Sequence, residues 1–127
     1  MVKTIDFAIG DIQTNAYVAV PEGSGPFPGV VVTFHMGGID SFTEWVVDDL
    51  AKNGYAAIAP NHYHAMPPGK TIADRKEFLD DDQMTLDLKT SADWLASQDS
   101  VDGDRLALIG HCMAYIMSNK YHGDSTF

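Results

Sequence analysis

Cysteine is almost missing from this 127-residue chain, which has a single one at Cys112. No intrachain disulfide can form. A lone thiol fits a reducing compartment, where it serves either packing or nucleophilic chemistry. Basic residues are also scarce, 8 against 18 acidic ones, for a formal net charge of -10. A field of that sign repels phosphate backbones and anionic lipid, so neither nucleic acid nor a membrane surface is expected as a partner. Its plain use is solubility. Long apolar runs are lacking too: none approaches the ~20 residues of a membrane span. The opening Met1-Val2-Lys3-Thr4-Ile5-Asp6 has no apolar run of the kind a signal peptide needs. A cytoplasmic protein is the expectation. There is no internal repeat and no low-complexity tract.

What is present is one domain's worth of chain, residues 1–127, with a hydrophobic fraction of 45% that can bury one modest core. Residues 4–9 and 15–20 alternate partly between apolar and polar, and Gly10-Asp11 between them is turn chemistry, so two strands at a partly antiparallel edge are expected. Gly29-Val30-Val31-Val32-Thr33-Phe34 is a continuous β-branched run, as in a strand buried on both faces. A helix follows. Ser41 and Glu44 have capping-box spacing, Phe42, Val46 and Leu50 recur every four residues, and Asn53-Gly54 is a stop. Residues 55–59 form a second buried strand. Residues 61–80 are a polar excursion with a short helix expected near 73–79. A stronger helix over 83–97 carries Met84, Leu88, Ala92 and Leu95 on one face. Residues 105–109 read as a third buried strand. The order β-β-β-α-β-α-β defines an α/β fold, a mostly parallel sheet flanked by helices and joined by right-handed crossovers.

The last strand runs into Gly110-His111-Cys112-Met113-Ala114. An apolar strand followed by Gly-x-Cys-x-small has the form of a nucleophile elbow with cysteine in the serine position. Small residues on either side of the nucleophile avoid clashes across a tight turn, and the dipole of a following helix favours the thiolate. The alternative is a cysteine packed at a strand end. His35-Met36-Gly37-Gly38 follows the first buried strand and stands where this fold supplies one oxyanion-hole amide; the residue after the nucleophile supplies the other. These amides belong to Met36 and Met113. A glycine-rich turn without chemistry is the alternative there.

Taken in order, several stretches resemble the dienelactone hydrolase family of the α/β-hydrolase superfamily. They are Pro28 to Val32 with the loop through Gly38, Leu50 to Tyr63, the helix from Met84 to Trp94, and Val101 to Met113. The resemblance spans most of residues 1–113 and implies the N-terminal half of an α/β-hydrolase fold that hydrolyses esters or lactones of small molecules, without a cofactor, through a Cys-His-Asp triad. Cys112 matches the nucleophile. His35 stands where familiar members carry a glutamate that contacts the resting cysteine, replacing an acceptor with a group that can donate, accept or carry a proton. Arg75 matches loosely the arginines that hold a substrate carboxylate. Beyond Met113 the family's Gly-Gly and long apolar helix are replaced by a divergent tail, residues 114–127, and the triad's aspartate and histidine have no counterpart. His122 and Asp124 lie too soon after the nucleophile to replace them. A truncated hydrolase of weak activity is therefore expected. The competing expectation is a non-catalytic α/β module whose uncovered sheet drives dimerisation or aggregation.

The remaining constellations read as structural. His62 and His64, with His35 and His111, lack a nearby carboxylate or cysteine to complete a zinc set, so no metal is expected. Asp80-Asp81-Asp82 suits the start of the second helix. Trp45 and Trp94 are expected to pack against the sheet.

Overall fold

The computed structural model describes residues 2–33, 40–62 and 81–110. The element order is β1 (Lys3–Ile9), β2 (Ile12–Ala19), β3 (Phe27–Thr33), α1 (Ser41–Lys52), β4 (Ala56–Pro60), α2 (Asp81–Ala96) and β5 (Val101–Gly110). The strands lie in the order β1-β2-β4-β3-β5. β4, β3 and β5 are parallel, while β2 runs antiparallel to both β1 and β4. Gly10, at φ 61, turns β1 into β2 through the expected Gly10-Asp11 connection.

Strand alternation divides the core into two layers. Val31, Ala56 and Ile58 face Leu88, Ala92 and Leu95 of α2. Val30, Val32, Ala57 and Ala59 face Val47 and Ala51 of α1. Successive side chains of one strand thus feed opposite layers, which is why β3 and β4 read as unbroken apolar runs. All four apolar residues expected on the second helix are buried. Trp94 packs against the same layer.

Helix α1 departs from its sequence reading in two ways. Its N-cap is Asp40, whose Oδ1 accepts from the Thr43 amide at 3.0 Å, one residue before the Ser41 expected from the capping box. A carboxylate adds charge to the cap and suits the helix N-terminus better than a hydroxyl. The buried stripe is Thr43, Val47 and Ala51, one position on from Phe42, Val46 and Leu50, which are exposed or half-buried. Small and β-branched side chains allow the helix to approach the alanines of β4 closely. Phe42 and Trp45 are turned outward instead, stacked on each other at 6.3 Å. Trp45 is 60% exposed, so it does not pack on the sheet as expected. The helix closes as read: Gly54, at φ 93, bonds back to Ala51, and Tyr55 to Leu50, a Schellman ending.

The third parallel strand is also less enclosed than expected. β3 and β4 are buried throughout their apolar stretches, whereas Leu106, Leu108 and Ile109 of β5 are half-buried and Ala107 is exposed. Among the described residues β5 pairs with β3 alone. Such a strand has the composition of a sheet interior and the exposure of an edge. No described helix is long and apolar enough to cross a membrane.

Candidate active site

The topology marks one end of the sheet. From β3 the chain passes through α1, on one face, to β4; from β4 it returns through α2, on the opposite face, to β5. Because β4 and β5 flank β3 on opposite sides, the connections diverge between β3 and β5. In open α/β sheets, ligands bind beyond the carboxyl ends of the strands at such a point.

Two sequence motifs leave the sheet there. Thr33, the last residue of β3, is the register partner of Gly110, the last residue of β5. The glycine-rich loop begins just after Thr33, and the Gly-x-Cys segment begins at Gly110. Their starting points are therefore adjacent across one parallel pair. His35, Met36, Arg75, Cys112 and Met113, together with the short helix expected near 73–79, lie outside the described residues.

A polar chain that the sequence reading did not isolate sits at the same end. His62 follows β4 directly and is held by its neighbour. The Asn61 amide donates to the Asn15 carbonyl at 2.9 Å, Asn61 Nδ2 donates to Asn15 Oδ1 at 3.0 Å, and Thr14 Oγ1 donates to the Asn61 carbonyl at 3.1 Å. These bonds carry the β2–β4 pairing past its last registered residues and fix where His62 begins. His62 Nδ1 then meets Asp87 Oδ2 at 2.8 Å, and its Nε2 meets Thr33 Oγ1 at 3.2 Å. On α2, Gln83 Nε2 donates to Asp87 Oδ1 at 3.0 Å, and Ser91 Oγ donates to the Asp87 carbonyl at 2.8 Å. Thr33, His62, Asp87 and Ser91 are all buried.

Burial decides what this chain can do. An Asp-His-hydroxyl sequence resembles a catalytic triad in distances, but Thr33 is 0% exposed and no substrate can reach it. An ionised carboxylate is acceptor-only, so its bond to Nδ1 places a proton on that nitrogen; Nε2 then accepts from the Thr33 hydroxyl if the ring is neutral and donates to it if the ring is charged. The signal for these residues was positional. His62 continues the two-residue rhythm of Ala56, Ile58 and Pro60, and Asp87 and Ser91 fall at helical spacing among Met84, Leu88, Ala92 and Leu95.

Nearby, burial raises the Tyr17 phenol above its ordinary pKa, with the charges of Glu44 and Asp40 adding to it. A cavity of about 500 Å³, lined by Val20, Phe27, Ala51 and Lys52, lies at the opposite end of the sheet, where β3 begins, and is remote from the motifs. Among the described residues, no three His, Cys, Asp or Glu side chains gather as metal ligands. His62, weighed as a ligand in the sequence, is engaged by Asp87 and Thr33 instead.

The fold and this end of the sheet define an α/β-hydrolase half. A model of the "Dienelactone hydrolase family" matches residues 14–121, and the chain belongs to that family. It is 33% identical over 105 residues to a Yersinia pestis protein named "Putative carboxymethylenebutenolidase", covering 76% of this chain and 39% of that one. It is 31% identical over 121 residues to a Bradyrhizobium protein named "Probable 2-oxo-3-(5-oxofuran-2-ylidene)propanoate lactonase", covering 87% and 49%. The crystal structure of a "Putative Dienelactone Hydrolase" from Klebsiella pneumoniae superposes with a TM-score of 0.74 at 28% identity, covering 88% of this chain and 50% of that one. The chain thus spans half or less of the length of these relatives.

Proposed function

We propose that this chain carries the acylating half of a dienelactone hydrolase-like reaction, in which Cys112 attacks the carbonyl of a small ester or lactone. The amides of Met36 and Met113 hold the oxyanion, His35 contacts the thiol or the substrate, and Arg75 receives a substrate carboxylate. The observation that carries this reading is the pairing of Thr33 with Gly110 at the switch point, which starts both motif segments side by side. The relatives' names, a carboxymethylenebutenolidase and a lactonase, support a cyclic ester as the substrate class.

The residues of this chain offer no counterpart for the family's triad aspartate and histidine. Loss of triad members costs several orders of magnitude in rate, so slow acylation with poor turnover is the expected behaviour. The test is pre-steady-state release of nitrophenol from p-nitrophenyl acetate. One equivalent or less, released in a burst that Cys112→Ala abolishes, is expected. A folded wild-type chain with no burst overturns the reading.

A second reading is favoured by the half-exposed apolar strand β5: a non-catalytic module that self-associates through its uncovered sheet. Light scattering across a concentration series tests it, and a strictly monomeric species overturns it.

A further inference from the structure

We propose that Asp87, His62 and Thr33 form a buried positioning relay that sets the end of β3, and through it the spacing of the two segments leaving Thr33 and Gly110. The inference rests on the hydrolase reading for its catalytic consequence, but not for its structural one.

The argument begins with cost. Burying a histidine and a carboxylate brings a desolvation penalty that well-packed apolar residues avoid, so the pair is weak evidence of a stabilising role and its geometry is the better guide to what it does. Here both side chains are wholly enclosed, and a chain of bonds runs from α2 through His62 to the end of β3. α2 contributes Asp87, steadied by Gln83 one turn earlier; the end of β4 contributes His62; the end of β3 contributes Thr33. Three separate elements are tied together by hydrogen bonds whose distances and directions are far narrower than those of apolar contact.

The relay ends two residues before the glycine-rich His35-Met36-Gly37-Gly38 segment. Thr33 is held by its neighbours from both sides: its hydroxyl by His62, its backbone by registration with Gly110. A shift of Thr33 therefore moves the start of the loop relative to the start of the Gly-x-Cys segment. Reactions held in a near-attack geometry are sensitive to displacements of this kind even when the displaced residue never touches substrate. Thr33, His62 and Asp87 are positioning residues in this sense, acting through the backbone.

The experiment uses the whole chain with Thr33→Val, which keeps the shape and removes the hydroxyl, and Thr33→Ser, which returns it. With p-nitrophenyl acetate as probe, Thr33→Val is expected to slow acylation about tenfold or more, with the half-saturating ester concentration unchanged. Thr33→Ser should restore the rate to within about twofold, a rescue that volume alone does not produce. An unchanged rate in Thr33→Val, or no rescue by Thr33→Ser, overturns the proposal. Two measurements hold whether or not the chain acylates. In wild-type protein labelled at histidine nitrogens, one imidazole Nδ1–H should exchange slowly with water; its absence overturns the relay even if Thr33→Val fails to fold. In Thr33→Val, the amides following Thr33 and Gly110 should exchange faster, and unchanged exchange at both also overturns it. A wild-type chain without a burst but with both exchange signatures sinks the hydrolase reading and leaves the relay standing.

Discussion

His62 Nδ1 lies 2.8 Å from Asp87 Oδ2, with both side chains fully enclosed between the ends of β3 and β4 and helix α2. Removing the carboxylate takes an acceptor from the enclosed His62 Nδ1–H and from the half-buried Gln83 Nε2. Asp87→Ala is expected to destabilise the fold by about 2–4 kcal/mol, since removing one partner of a buried charged hydrogen-bonded pair costs on that order. Urea unfolding at constant m-value checks this. A change under about 0.5 kcal/mol, the usual range for surface substitutions, would show that the pair is not structural.

The α2 stripe makes a second prediction. Leu88 is wholly buried beside Ile58 and Val31. Leu88→Ala should cost about 2–5 kcal/mol through lost burial and the cavity left behind. Its neighbour Leu86 is 45% exposed, and Leu86→Ala should cost little. Thermal melts of the two variants give the contrast, and equal losses would mean that the helix is rotated.

The two possible caps of α1 can be told apart. Asp40→Ala removes the acceptor of the Thr43 amide and should cost about 1 kcal/mol. Ser41→Ala removes a side chain at the first helical position and should be nearly neutral. The reverse ranking in chemical denaturation would return the cap to Ser41.

A pH dependence follows at the start of β5. The Asp102 carboxyl accepts from the Asp104 amide at 3.0 Å and from Arg105 Nε at 2.7 Å, and these bonds hold its pKa below the ordinary carboxylate value. A depressed folded-state pKa contributes stability that is present above the unfolded value, near pH 4, and lost as pH falls through the folded value. Asp102→Asn should therefore be less stable than wild type at neutral pH, and the difference should shrink as the pH is lowered below about 4. Because Asp102 is at the surface, the effect should be small and weakened by salt. A difference that grows on acidification contradicts the assignment.

The sequence made the layer order legible and left the enclosed polar chemistry hidden. β-branched runs identify β3 and β4 because both faces of those strands are covered, and Met84, Leu88, Ala92 and Leu95 identify the inner face of α2 because apolar residues report burial directly. Asp87 occupies the same face, yet a carboxylate in a list of helix residues reads as solvated; only the approach of His62, supplied by a distant strand, explains it. The α1 face shifted by one position for a related reason. Phe42 and Trp45 are the larger apolar groups, but Val47 and Ala51 are small enough to sit against the alanines of β4. At the candidate site, the motifs were readable as spacing, whereas the adjacency of Thr33 and Gly110 depends on a crossover past β3 that no local pattern encodes.

That adjacency also bears on when the site is assembled. Thr33 is made early and its partner Gly110 late, with α1, β4 and α2 between them. Pairing of β3 with β5 closes the longest loop of the parallel sheet, and contacts between sequence-distant strands form slowly because the entropy of closure precedes their reward. β3 must therefore wait beside β4, one flank open, until the strand leading to Cys112 has been synthesised. The segments that leave Thr33 and Gly110 therefore start side by side only once this long-range pairing has formed.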